Sequence, residues 1–329
     1  MCLVDDVLSS DVLSTCERFP LVFVALIVGV LLLLAGAEFI VRGGGQLALA
    51  LGVPAMVVGL TVVAFGTSAP ELLVSMTAAL DGKTDTALGN VNGSNIANVL
   101  LVLGMAAVVR RLFVARSLLR RELPAAMGIQ LLVPLLLWDG DLDRPDGVVL
   151  ISAGLVYNTW LLYEAYRGRT VPLDDELGDG GKSVRHYVSL LLGGLVLLGV
   201  GAHLFVTGAT ELAQWMGWSD RFIGLTVIAL GTSAPEVATA VVSAYRGESD
   251  LAVGNSLGSN ILNIAMVLGL TACVCPITIQ NDGVWMDLCL ASAATFILIP
   301  VTMRGTMGRG LGVTMCLGYV LFMVGMAGT

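Results

Sequence analysis

The sequence predicts an all-α integral membrane protein: ten transmembrane helices in two inverted-topology five-helix repeats, with both termini outside. Three observations predict it. The composition is too apolar for water, the apolar runs are long enough to span a bilayer with basic residues gathered on one side, and the chain matches itself at a fixed offset.

The chain has 329 residues, 56% of them hydrophobic and 13% charged, whereas a soluble domain carries about 25% charged residues. Too few polar residues remain to cover a water-facing surface, so the expected solvent is the lipid bilayer. A net charge of −8 argues against a nucleic-acid partner, and no protein partner is evident. Six scattered cysteines give neither a disulfide framework nor metal-ligand spacing, and Cys273 and Cys275 read as small packing residues. No cofactor motif is present.

The first 19 residues form an acidic tail with Asp5, Asp6, Asp11 and Glu17. It lacks the basic start and short apolar core of a cleaved signal. Crossing about 30 Å of hydrocarbon takes about 20 apolar residues. Ten runs meet this: 20–41, 55–80, 86–109, 122–138, 146–166, 186–208, 221–245, 250–275, 285–303 and 309–327. The first repeat is expected over 20–166, a cytoplasmic linker over 167–185, and the second repeat over 186–329. Asp174, Asp175, Glu176 and Asp179 make the linker acidic, which reads as a solvated connection.

With the N-terminus outside, 13 of the 17 Lys and Arg residues fall in inside loops and 4 in outside loops. That bias follows the positive-inside rule for ten spans, N-out and C-out. The residue 139–146 loop, with Asp139, Asp141, Asp143 and Asp146, then lies outside.

The offset is 165. Residues 59–71, GLTVVAFGTSAPE, align with 224–236, GLTVIALGTSAPE, and 89–98, GNVNGSNIAN, align with 254–263, GNSLGSNILN. Between 59–104 and 224–269, 25 of 46 positions are identical. Each unit contains five spans. An odd number makes the second copy enter from the opposite side, which gives inverted repeats with a shared site near the midplane.

Glu71 and Glu236 lie far from the ends of their spans, where a carboxylate costs at least about 2.5 kcal/mol. A buried carboxylate persists when a cation neutralises it or when it takes a proton. Pro70 and Pro235 lack an N–H and free the carbonyls of Gly66 and Gly231, so the helices are expected to break there. Thr67 and Thr232 share a helical face with the glutamates, and Ser68 and Ser233 sit beside them. On the next spans Asn90, Ser94 and Asn98 recur every four residues, as do Asn255, Ser259 and Asn263. Carboxylates, hydroxyls, amides and carbonyls without His or Cys form a hard-cation set. The alternative role of such a stripe is close helix packing, which is the expectation for Gly93, Gly258, Gly104 and Gly269. Glu38 has His203 as its repeat counterpart, so local pairing is expected. Glu122, Glu164 and Glu211 fall near span ends, within reach of headgroups.

GTSAPE twice, each followed by GNxxGSN, resembles the α-repeats of the cation/Ca²⁺ exchanger superfamily, the group containing sodium/calcium exchangers. The resemblance covers nearly the whole membrane region. It implies ten helices in two inverted repeats that exchange Ca²⁺ for Na⁺, K⁺ or H⁺ by alternating access. It implies Ca²⁺ on Glu71 and Glu236 with the Thr67 and Thr232 carbonyls. It also implies Na⁺ around Ser68, Ser94, Ser233 and Ser259, near the Ala64 and Ala229 carbonyls. Some members carry Asp at one of the positions held here by Asn98 and Asn263. Two central carboxylates rather than three favour K⁺-independence.

The expected function is therefore Na⁺/Ca²⁺ antiport at the cell membrane, with Ca²⁺ and Na⁺ as substrates and no cofactor. H⁺/Ca²⁺ exchange is the alternative within the class, and a Ca²⁺ channel is the alternative outside it. An enzyme using Ser68 or Ser233 as nucleophile needs a nearby base, and neither motif holds His or Lys.

Overall fold

A computed structural model of the chain describes residues 15–114, 120–167, 183–217, 229–279 and 283–327. The first repeat comprises α1 (Thr15–Leu51), α2 (Ala55–Thr67), α3 (Ala69–Leu80), α4 (Thr84–Val109), α5 (Glu122–Asp139) and α6 (Arg144–Arg167). The second comprises α7 (Val184–Trp215), α8 (Ala229–Thr232), α9 (Ala234–Arg246), α10 (Ser249–Val274), α11 (Gly283–Arg304) and α12 (Arg309–Ala327). Among the described residues, seven helices are long and apolar enough to cross a membrane, and the bent pair α2–α3 makes an eighth. The chain is an all-α membrane protein.

Most helices start and stop within a few residues of the apolar runs. The exceptions are α1 and α7, which outrun theirs by ten and seven residues at their C-terminal ends. There the apolar stretch ends but nothing breaks the helix until Gly52 and Gly217, both at positive φ, the usual glycine stop. Thr15–Phe19 belong to α1 rather than to a separate tail. The acidic residues at 5–11 and 174–179 lie outside the described residues.

Glycine lets α1 and α7 touch backbone to backbone. A Cβ on Gly36 would stand 2.7 Å from the Gly194 carbonyl oxygen, and one on Gly29 would stand 2.9 Å from that of Gly201. Gly29 and Gly36 recur at 194 and 201, so the two contacts are one contact applied twice about a pseudo-two-fold axis. The helices richest in asparagine, α4 and α10, are the most enclosed of the candidate spans, with 72% and 78% of their apolar windows buried. Of the four glycines expected to pack, Gly104, Gly258 and Gly269 have neighbours within about 3 Å of a virtual Cβ, and Gly93 has none within 4 Å among the described residues.

Two short ribbons depart from a wholly helical chain. Strand β1 (Leu112–Phe113) pairs with β4 (Thr306–Met307), and β2 (Asp141–Leu142) pairs with β3 (Ile277–Thr278), all antiparallel. Adding 165 to β1 gives β3, and adding it to β2 gives β4, so the repeat operation converts one ribbon into the other. Two-residue strands carry no period that a sequence pattern can reveal.

Charged residues discounted as site candidates have local partners. Glu38 accepts hydrogen bonds from both Arg42 and Arg246, and Glu164 pairs with Arg121 at 2.8 Å. Glu122 is the exception: it is buried rather than directed to headgroups. Cys273, Cys275, Cys289 and Cys316 are free thiols.

Candidate functional site

The site forms where two helix breaks meet. A proline cannot donate a backbone hydrogen bond, so Pro70 and Pro235 interrupt the ladder one turn upstream. The first-repeat helix ends at Thr67, bends by 43° and restarts at Ala69, and the second ends at Thr232 and restarts at Ala234. The residues between, Ser68 and Ser233, have nearly the same φ and ψ: −81° and 5°, and −84° and 2°. The expected breaks are present, with the bend on each serine rather than on Gly66 or Gly231.

Each break is followed by Glu at the third helical position. Ser-x-x-Glu at a helix start is the capping-box pattern, in which both side chains satisfy exposed backbone N–H groups. Neither serine makes a side-chain cap here. Both serine hydroxyls are therefore available for other partners. Glu71 and Glu236 are both 0% exposed and lie near enough to repel one another. Each stands in the first turn of its helix, where the helix dipole favours negative charge. Neither is in a salt bridge among the described residues.

Hydroxyls surround the two carboxylates. Ser94 Oγ stands 3.5 Å from Glu71 Oε1, and Ser259 Oγ stands 3.5 Å from Glu236 Oε1. The break serines cross over, with Ser233 facing Glu71 and Ser68 facing Glu236. Thr67 Oγ1 reaches α10, 3.3 Å from Asn255 Oδ1 and 3.4 Å from Ser259 Oγ. Helix α4 is locked to the first turn of α3 by Asn90, whose amide donates to the Glu71 carbonyl (3.2 Å) and to Ser75 Oγ (2.9 Å).

Six side-chain oxygens on these faces are buried with no hydrogen bond. They are Ser68 Oγ, Glu71 Oε2 and Asn98 Oδ1, with the repeat equivalents Ser233 Oγ, Glu236 Oε2 and Asn263 Oδ1. Buried acceptors without donors are costly, and a matched triplet from each repeat is the ligand chemistry of a desolvated hard cation. No group of three His, Cys, Asp or Glu converges among the described residues, so two carboxylates carry the site's negative charge.

Contacts therefore unite Glu71, Glu236, Thr67, Ser68, Ser233, Ser94 and Ser259, as their spacing suggests. Asn98 and Asn263 stand one turn further along α4 and α10, and each opens a π-helical turn, 98–102 and 263–268. Such turns are frequent at functional sites, and nothing in residue spacing signals them. Thr232 is buried at the end of α8. The Ala64 carbonyl already accepts from the Ser68 N–H (3.0 Å) and the Thr67 hydroxyl (3.3 Å). The single Thr67 hydroxyl proton is shared between this carbonyl and Asn255 Oδ1. Ala229 opens α8, directly after residues outside the described set. Sequence reasoning missed Asn95, Asn260 and Gln130, which form an amide network between the halves. Asn95 and Asn260 are inside the repeated GNxxGSN segments, but off the 90–94–98 stripe.

A cavity of about 1070 Å³ runs along α7 and reaches both breaks, bordered there by Gly66, Pro70, Gly231 and Pro235. Helix α1 packs on α9 and is tied to it by Glu38 and Arg246.

The model of the family described as sodium/calcium exchanger protein matches residues 21–163 and again 186–328. The chain belongs to the sodium/calcium exchanger protein family. The two matches coincide with the two halves of the self-alignment. This exchanger-family chain is 40% identical over 286 residues to the putative antiporter CaxA of Alkalimonas amylolytica, covering 84% of the chain and 88% of that protein. It is 38% identical over 312 residues to the inner membrane protein YrbG of Escherichia coli, covering 91% and 94%. It also resembles a solved structure of the sodium-calcium exchanger NCX_Mj, with a TM-score of 0.80, 29% identity and coverage of 92% and 97%. The exchanger family is one of transporters rather than enzymes, and its members carry out cation/Ca²⁺ antiport.

Proposed function

We propose that this chain exchanges Ca²⁺ for Na⁺ across the cell membrane by alternating access, at one site shared between the two repeats. The observation that carries the reading is the pair of buried, facing carboxylates with a matched triplet of unbonded oxygens from each half. Two carboxylates balance one Ca²⁺ or about two Na⁺. Competition for the same charge is then the simplest route to obligatory exchange. The sodium-calcium exchanger NCX_Mj, similar over most of both chains, supports Na⁺ as the counter-ion. No cofactor enters this reading.

The proposed topology is ten spans in two inverted five-helix repeats, N-out and C-out. Strand pairing supports it, because paired strands must lie on the same side of the membrane. In the ten-span scheme six crossings separate β1 from β4, and four separate β2 from β3, both even. The β1–β4 ribbon then lies inside, next to Arg304 and Arg309, and the β2–β3 ribbon outside. The cavity along α7 reaches both helix breaks, which supports an access route to a midplane site of the kind alternating access uses.

The test is Ca²⁺ uptake into proteoliposomes loaded with Na⁺. An outward Na⁺ gradient should drive uptake, and collapsing that gradient should stop it. A pH gradient driving uptake alone would make the counter-ion H⁺. Flux with no counter-ion at all would make the protein a channel.

A further inference from the structure

Asn98 and Asn263 are equivalent in sequence, but the fold holds them differently. Asn263 Nδ2 donates to Asn95 Oδ1 at 3.1 Å. Asn95 Nδ2 donates in turn to Gln130 Oε1 at 3.2 Å and to the Asn260 backbone carbonyl at 3.4 Å. That carbonyl can only accept, so it fixes which end of the Asn95 amide is nitrogen. Asn95 must then present oxygen to Asn263, and Asn263 must present nitrogen to Asn95. The end of Asn263 left over is Oδ1, which has no hydrogen-bond partner.

The mirror-image chain is incomplete. Asn260 Nδ2 donates to the Asn95 carbonyl at 3.2 Å, as the repeat requires. Yet Asn260 Oδ1 and both amide atoms of Asn98 are unbonded. The position equivalent to Gln130 is Thr295, whose hydroxyl bonds to Ala291 of its own helix at 3.1 Å. Gln130 is thus a polar residue, 2% exposed, in the apolar middle of α5, with no amide at the equivalent position of the other half.

We propose that Gln130 is a positioning residue which, through Asn95, holds Asn263 with its carbonyl oxygen toward the cation site and so makes the two half-sites unequal. The inference rests on the exchange reading above. A held amide presents a hard oxygen to a cation without first turning over, whereas the unheld Asn98 must adopt that orientation on binding.

The experiment compares Gln130→Met, Gln130→Glu and Thr295→Met. Ca²⁺ binding to the solubilised protein is measured alongside Na⁺-driven Ca²⁺ uptake. Gln130→Met removes the acceptor at similar volume and should raise the half-saturating Ca²⁺ concentration about threefold to tenfold, the worth of one net hydrogen bond. The maximal rate should persist. Gln130→Glu keeps an acceptor for Asn95 and should restore affinity, and Thr295→Met should leave it unchanged. Unaltered half-saturation in Gln130→Met, or an equal rise in Thr295→Met, overturns the inference. If Gln130→Met does not fold, Asn263→Ala and Asn98→Ala decide: the inference requires a larger affinity loss at 263, and equal losses contradict it. Wild-type uptake without Na⁺ dependence would count against the exchange reading instead, and the binding comparison separates the two.

Discussion

Asn95 and Asn260, 165 residues apart, each donate a side-chain amide hydrogen bond to the other's backbone carbonyl, at 3.4 and 3.2 Å. Only residues beside a two-fold axis can meet their own repeat equivalents in this way. The pair therefore marks where the two halves are joined, on the helices that also carry Ser94, Asn98, Ser259 and Asn263. The same symmetry reappears in the Gly29–Gly201 and Gly36–Gly194 contacts and in the exchanged ribbons. From the core to both rims, each half completes the other.

The serines beside the glutamates should behave as a matched pair. Ser94→Ala and Ser259→Ala each remove one hydroxyl 3.5 Å from a carboxylate. Each should weaken apparent Ca²⁺ affinity about threefold to tenfold, with neither variant much worse than the other. Half-saturation of Na⁺-driven Ca²⁺ uptake measures both.

Restoring the missing N–H should straighten the broken helix. Pro70→Ala gives the Gly66 carbonyl a donor and lets α2 continue toward α3, moving Glu71 away from Glu236. The expected result is unchanged or higher thermal stability together with a severe loss of uptake. Lower stability with normal uptake would show that the break is not what positions the carboxylate.

The backbone contact between α1 and α7 leaves no room for a side chain. Gly36→Val and Gly194→Val each put a Cβ within about 3 Å of the opposite backbone, and overpacking of this kind costs about 1–3 kcal/mol. Both should lower the melting temperature by similar amounts. A matched substitution at Gly45, where a Cβ meets nothing within 4 Å, should not.

The ribbons offer a check on topology. Leu112 is directly opposite Met307, and Leu142 is opposite Ile277, at separations a disulfide can bridge. In a background cleared of native cysteines, Leu112→Cys with Met307→Cys should cross-link, and so should Leu142→Cys with Ile277→Cys. Single cysteines at the exposed strand positions, Phe113→Cys in β1 and Thr278→Cys in β3, separate the sides: a membrane-impermeant thiol reagent applied outside should reach only Thr278→Cys. Labelling of both from one side would contradict the inverted arrangement.

The sequence carried the repeat, the helix breaks and the hydroxyl-lined carboxylates, because each is a local pattern written twice. Glu71 and Glu236 stand out from a single chain because membrane burial makes an isolated carboxylate expensive and the 165-residue offset removes coincidence. What the sequence could not show is contact between halves. Thr67 reaching Asn255 and Ser259, Asn95 reaching Gln130 and Asn263, and the two-residue strands all depend on how close the repeats approach. The π-helical turns at Asn98 and Asn263 follow from backbone geometry that no side-chain pattern encodes. Glu122 looked like a span-end residue by its position, and only the packing of α5 reveals that it is buried.

The central claim is that Glu71 and Glu236 together hold the transported cation. It is tested most directly by Na⁺-driven Ca²⁺ uptake in proteoliposomes containing Glu71→Gln or Glu236→Gln. Each substitution keeps the shape and removes one of the two buried charges. Losing a charged ligand of this kind costs about 1.5–3 kcal/mol, so apparent Ca²⁺ affinity should fall by at least about tenfold in both variants, to a similar degree. Normal uptake in both would contradict the assignment of the site.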